Sequence, residues 1–124
     1  MKNVLIVDDE KRIRKIYRKM MGALRLNDLR ILEAENAEQA TDFLIKERIH
    51  MILLDIQMPE IDGQYMSEVI REHNPNIKVV VTSVYPVEEQ RRRIPFATDY
   101  HDKSENIVQF LDRVIKLLTE EPEK

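Results

Sequence analysis

Two apolar runs decide what this chain can fold into, Val4-Leu5-Ile6-Val7 and Met51-Ile52-Leu53-Leu54. Neither alternates with polar residues, so neither suits a strand with one wet face. Both read as strands buried on both sides, as in a parallel sheet. Each run stops on a carboxylate. The first passes into Asp8-Asp9-Glu10, and the second into Asp55, after which Pro59 and Asp62-Gly63 break the chain into a loop. Such carboxylates are held rigidly at the carboxyl edge of the sheet, and they converge if the two strands are neighbours.

Around these runs the apolar period becomes helical. Residues 11 to about 24 place Ile13, Ile16, Tyr17, Met20 and Leu24 on one face and basic residues on the other, with Asn27-Asp28 as a turn. A short second strand spans 30–34. Asn36 caps the next helix, Gln39 three residues on approximates a capping box, and Ala37, Ala40, Phe43 and Leu44 supply the buried stripe. The third strand covers 50–55. A third helix starts near Gln64, buries Met66, Val69 and Ile70, and stops near Asn74-Pro75. Residues 77–82 form a fourth strand ending in the hydroxyls Thr82 and Ser83.

Pro86 suits the first turn of a fourth helix, but residues 87–94 have almost no apolar face and Pro95 ends them early. A short, weakly anchored helix is expected there. The last strand runs from 97 to about 101. Ser104 is expected to cap a final helix that carries Ile107, Phe110, Leu111, Val114, Ile115 and Leu118 on one side.

Five alternations of strand and helix predict an α/β fold. Right-handed crossovers favour a doubly wound, five-stranded parallel sheet of order 2-1-3-4-5, a flavodoxin-like three-layer sandwich. The 124 residues suit one domain, expected over 1–118, with 119–124 as a polar tail or the start of a linker. A net charge of −3 gives no reason to expect direct nucleic-acid binding, and the absence of cysteine removes thiol chemistry. No apolar stretch approaches the roughly 20 residues of a membrane span, so no membrane contact and a cytoplasmic location are expected.

Ligands of a doubly wound sheet bind beyond the carboxyl ends of the strands, where the strand order reverses. Asp8, Asp9 and Asp55 then share one pocket, with Thr82 and Lys103 beside it. Two unit charges about 4 Å apart repel by roughly 4 kcal/mol at an effective dielectric near 20, so protons or a cation must relieve the carboxylates. Hard oxygen ligands favour Mg²⁺. A metal, a hydroxyl and a fixed lysine match what a transferring phosphoryl group needs, and Asp55 can be the nucleophile.

The chain resembles the receiver domain of two-component response regulators over nearly its full length. The matching pieces are Val-Leu-Ile-Val-Asp8-Asp9-Glu, Leu-Leu-Asp55-Ile-Gln-Met-Pro59-Glu-Ile-Asp-Gly63, Val-Val-Val-Thr82-Ser and Asp-Tyr100-His-Asp-Lys103. The resemblance implies that Asp55 accepts a phosphoryl group from a histidine kinase or phosphotransfer protein. It implies Mg²⁺ (or Mn²⁺) held directly by Asp9, Asp55 and the backbone carbonyl of Gln57, with Asp8 acting through water and no further cofactor. Thr82 and Lys103 would hold phosphoryl oxygens, and Tyr100 would be an aromatic switch. The face of the fourth helix, last strand and fifth helix would be the output and possible homodimer surface. Such a protein catalyses only its own phosphorylation and dephosphorylation. Phe96 and Ser104 depart from the family's usual glycine and proline, the segment after Thr82 is one residue short, and a trans bond is expected before Ser104.

Blander readings stand beside these. Asp8 and Asp9 could be helix N-terminal acids, Thr82 and Ser83 turn hydroxyls, Lys103 a surface lysine and Tyr100 a half-buried strand aromatic. His50, His73 and His101 read as ordinary strand or surface residues, and residues 91–93 as a solvated basic face. A phosphate-independent interaction module is the competing function. A flavodoxin-like cofactor binder would need a phosphate loop where this chain carries acids. An aspartyl-phosphate hydrolase would need a second aspartate at position 57, which is Gln.

Overall fold

The computed structural model describes residues 2–23, 29–58 and 63–120. Strands β1 (Lys2–Val7), β2 (Leu29–Ala34), β3 (Met51–Asp55), β4 (Lys78–Ser83) and β5 (Asp99–Asp102) alternate with helices α1 (Lys11–Ala23), α2 (Ala37–Lys46), α3 (Gly63–His73), α4 (Val87–Arg93) and α5 (Ile107–Thr119). The strands form one parallel sheet in the order β2-β1-β3-β4-β5, as expected. Leu24, the Asn27-Asp28 turn, loop residues 59–62 and residues 121–124 lie outside the described residues.

Strand side chains alternate between the two faces, so the sheet has two cores. Leu5, Val7, Ile52, Leu54, Val79 and Val81 pack with Ala40 and Leu44 of α2 and Met66 and Ile70 of α3. Val4, Ile6, Met51, Leu53 and Val80 pack with Tyr17 and Met21 of α1 and Phe110, Leu111, Val114 and Leu118 of α5. Burial on both faces is why β1 and β3 are uninterrupted apolar runs. The C-terminal end of α5 is tied to the sheet by two lysines, Lys2 donating to the Leu118 carbonyl and Lys78 to that of Leu117. Ammonium groups suit these carbonyls because helix C-termini leave them unpaired and carry partial negative charge.

Several local expectations are corrected. On α1, Ile16 is exposed, and the inward positions are Arg14, Tyr17 and Met21, spaced three and four apart. Arg14 is tolerated inside because its guanidinium donates to the Asp8 carbonyl at 2.7 Å and to Glu33 at 3.1 Å. Asn36 does cap α2, accepting from the Gln39 N–H, but Gln39 reaches back to the Glu35 N–H, one residue beyond a strict capping box. Helix α5 is capped by Asn106, whose side chain accepts from the Val108 N–H, and not by Ser104. Ser104 lies in the preceding turn, where its N–H and hydroxyl both donate to Asp102.

Helix α4 is short, as expected, but not weakly held. Gln90 is fully buried, and its side-chain amide donates to the carbonyls of Tyr85 at 2.8 Å and His101 at 2.9 Å. Ile94, just past the helix, is also buried, and its carbonyl accepts from the Tyr100 hydroxyl. Hydrogen bonds replace the missing apolar stripe.

The two glycines should respond oppositely to alanine. A Cβ on Gly63 would sit 2.7 Å from Ile56 Cγ2 and 3.2 Å from Ile56 Cα, so Gly63→Ala should destabilise by about 1–3 kcal/mol. At Gly22, inside α1, a Cβ meets nothing within 4 Å. Gly22→Ala should stabilise by up to about 1 kcal/mol through helix propensity. Chemical denaturation of both variants beside the parent tests the pair.

Candidate functional site

Asp8, Asp55 and Thr82 stand two positions beyond Ile6, Leu53 and Val80, so all three project from the α1/α5 face of the sheet. The register places Asp55 directly beside Thr82. Carboxylate oxygens of Asp8, Asp9 and Asp55 lie within 4.8 Å of one another. Asp8 and Asp55 are buried and Asp9 is exposed, which leaves the cluster open on one side. Lys103 Nζ sits 3.1 Å from Asp8 Oδ2 and 3.4 Å from Asp55 Oδ2. Its own backbone N–H is fixed on the Ser83 carbonyl at 2.7 Å.

Each buried carboxylate also accepts a backbone N–H from the loop that follows it. Asp8 Oδ1 accepts from Glu10 and Asp55 Oδ1 from Gln57, both at 2.9 Å. Even so, burial pushes the Asp55 carboxyl up to about 6, and the charge of Asp8 pushes the same way. The Gln57 N–H and Lys103 pull it back only in part. Burial acts to lower Lys103, but the attraction of Asp55 and Asp8 outweighs it and leaves the ammonium raised. One ammonium thus contacts two members of a cluster of three carboxylates. The donors are hard oxygens without thiolate or imidazole, a set that suits Mg²⁺, and the open side leaves room for water and a substrate oxygen.

Of the other two expected residues, Gln57 lies at the site through its backbone, and Tyr100 lies away from the carboxylates. Tyr100 is buried on the opposite face of the sheet, in the core with Val81, and Arg91 lies 5.0 Å from its ring. Gln57 is exposed, and its side-chain oxygen accepts from the Ser83 hydroxyl at 2.7 Å and the Val84 N–H at 2.8 Å. This joins the loop after Asp55 to the loop after Thr82. Phe96 is 71% exposed with the Arg71 guanidinium 4.8 Å from its ring. His73 is exposed on α3, and His50 accepts the Asn3 N–H.

Some participants are absent from the sequence motifs. Tyr17, an apolar-stripe residue by spacing, is buried in the cluster beneath the site, where burial and then the charges of Asp8 and Asp55 push its phenol up. The signal is a phenol placed on a helix that begins just after Asp8-Asp9. His101 is paired with Thr82 across β4 and β5, buried, and stacked on Phe110 with ring centroids 3.8 Å apart. Burial, with the charge of Arg113, pushes its imidazole down to about 4.

These shifts give opposite pH dependences. Folded Asp55 keeps its proton up to about pH 6, against an ordinary value of 3.8. Its contribution to stability therefore falls as pH rises through that window. Folded His101 stays neutral down to about pH 4, so its contribution is present above its ordinary 6.5 and is lost as pH falls. In metal-free protein, Asp55→Asn should stabilise by on the order of 1 kcal/mol near neutral pH, a figure reduced for solvent screening. The difference from the parent should shrink toward pH 4. Denaturation in chelator across this range measures both.

Comparison with known proteins gives a consistent result. The response regulator receiver domain model matches residues 4–114. The transcriptional regulatory protein SrrA of Staphylococcus aureus is 34% identical over 80 residues, which is 64% of this chain and 32% of SrrA. The matched part is thus about a third of that relative's length. Response regulator TrrA of Thermotoga maritima, solved with Mg²⁺ and beryllofluoride, is 29% identical with a TM-score of 0.81, covering 94% of this chain and 99% of that one. TrrA in complex with the histidine kinase ThkA gives 29% identity and a TM-score of 0.79, covering 96% of this chain and 100% of that one.

Proposed function

The chain belongs to the response regulator receiver family, and on that footing we propose that it is a signalling phosphoacceptor modified on Asp55. The observation that carries this reading is the placement of Lys103 between Asp8 and Asp55, with Thr82 beside Asp55 in the sheet. A carboxylate oxygen of Asp55 forms the new P–O bond as the P–N bond of a kinase phosphohistidine breaks, and the electron pair leaves with the imidazole nitrogen. Lys103 and the Thr82 hydroxyl then bind two phosphoryl oxygens. Asp9, Asp55 and the Gln57 backbone carbonyl would hold Mg²⁺ directly and Asp8 would hold it through water. When bound, the ion supplies charge neutralisation at the phosphoryl oxygens.

Phosphorylation adds about −1.5 to −2 charges and strong acceptor oxygens, so Thr82 and Lys103 are drawn toward Asp55. Both precede segments of the α4–β5–α5 face, which is where the signal would leave the domain and where a homodimer would form. Tyr100 is buried here, so its proposed switching is between this inward position and an outward one. The mapping of residues 1–118 as the receiver and 119–124 as tail or linker, and a cytoplasmic setting, belong to the same reading. Phe96 and Ser104 lie outside the group made by the three carboxylates, Thr82 and Lys103.

TrrA's complexes with a phosphoryl mimic and with a kinase support the reading by likeness. The direct test is intact mass after incubation with acetyl phosphate, with and without Mg²⁺. A metal-dependent gain of one phosphoryl group, abolished by Asp55→Ala, is expected. No gain in folded parent protein would overturn the proposal in favour of a phosphate-independent module.

A further inference from the structure

Arg14 is a buried cation on a helix face whose other inward residues are Tyr17 and Met21. Burying a guanidinium is costly unless it is paired, and apolar packing has no need of one. Its Nη1 donates to the Asp8 carbonyl at 2.7 Å, and its Nε donates to Glu33 Oε1 at 3.1 Å. Glu33 is itself fixed, since Arg18 donates to its other oxygen at 2.7 Å. The backbone of Arg14 closes the same turn, its N–H reaching the Glu10 carbonyl at 3.2 Å.

The Asp8 carbonyl belongs to the peptide that joins Asp8 to Asp9. A peptide unit is planar, so holding this oxygen sets the direction in which the Asp9 Cα leaves the strand. The Asp8 carboxylate has its own restraints, accepting from the Glu10 N–H and from Lys103. Asp9 has none. It is exposed and makes no hydrogen bond or ion pair with the described residues, yet its carboxylate lies within 4.8 Å of those of Asp8 and Asp55. We propose that Arg14 is a positioning residue for the metal site, orienting the Asp8–Asp9 peptide so that the Asp9 carboxylate stays beside Asp8 and Asp55. This rests on the Mg²⁺ site of the phosphoacceptor reading above. Groups that orient metal ligands commonly set affinity in this way.

Charge and positioning predict opposite signs. A guanidinium bonded to the backbone of Asp8 repels a divalent cation, so Arg14→Met would tighten Mg²⁺ binding if charge were its only role. Positioning predicts weaker binding, by about tenfold. Arg14→Lys keeps the charge but not the planar fork that reaches both partners, and should weaken binding about threefold. Calorimetric titration of the full chain with Mg²⁺ reads these affinities, with each variant checked by thermal unfolding. Leu118→Ala, a core change at the Lys2 end of the sheet, controls for general loosening. With acetyl phosphate, the Mg²⁺ needed for half-maximal rate should rise by the same factors, while the rate at saturating Mg²⁺ stays that of the parent. Unchanged or tighter binding in Arg14→Met overturns the inference, as does equal weakening in Leu118→Ala. If Arg14→Met does not fold, Arg14→Lys decides, and parental affinity or failure to fold there overturns the inference. A parent that binds no Mg²⁺ overturns the inference and the metal site together. A parent that binds Mg²⁺ without being phosphorylated overturns the phosphoacceptor reading alone, and the affinities still judge Arg14.

Discussion

The ammonium of Lys103, held between Asp8 and Asp55, is the contact on which the carboxyl edge of this sheet depends. Two buried carboxylates side by side are tolerable only with a shared proton or a cation close by. Nothing about β5 itself demands that cation, for the strand is short and lies at the sheet edge. Its register on β4 and the Lys103 N–H to Ser83 carbonyl bond bring the side chain to the right depth. Arg14 works from the other side, gripping the backbone of Asp8 and leaving its carboxylate to the site. The site is therefore assembled from residues far apart in sequence, and main-chain bonds position Asp8, Asp55, Thr82 and Lys103.

A second group of hydrogen bonds runs sideways from this edge. Gln57, two residues after Asp55, accepts from Ser83 and Val84; Ser83 in turn accepts from the Tyr85 N–H. Gln90 takes up the carbonyls of Tyr85 and His101, so the loop after β4, helix α4 and strand β5 share one set of bonds. Directional bonds of this kind have discrete arrangements, unlike an apolar face that can slide.

The fold was legible because burial on both faces leaves an unmistakable mark. Val4 to Val7 and Met51 to Leu54 could be little else than interior strands, and the strand order followed from chirality. Convergence of Asp8, Asp9, Asp55, Thr82 and Lys103 was legible too, since strand ends in a doubly wound sheet have only one place to go. Polar anchors inside the layers were not. Gln90, His101 and Arg14 are buried among groups of other elements, and an apolar period counts such residues as exposed. The cap of α5 was misplaced for a similar reason: Ser104 and Asn106 are both good capping residues, and the turn at Asp102 decides between them.

The lysine ties at the foot of α5 have a geometric consequence. They bring the start of β1 and the end of α5 into contact at the amino edge of the sheet, opposite the carboxylates. A strand of this length spans roughly 17–20 Å, so that distance separates the acidic cluster from both ends of the described chain. The acidic cluster and the two ends of the described chain thus lie at opposite edges of the sheet, and the space above the carboxylates is clear of both.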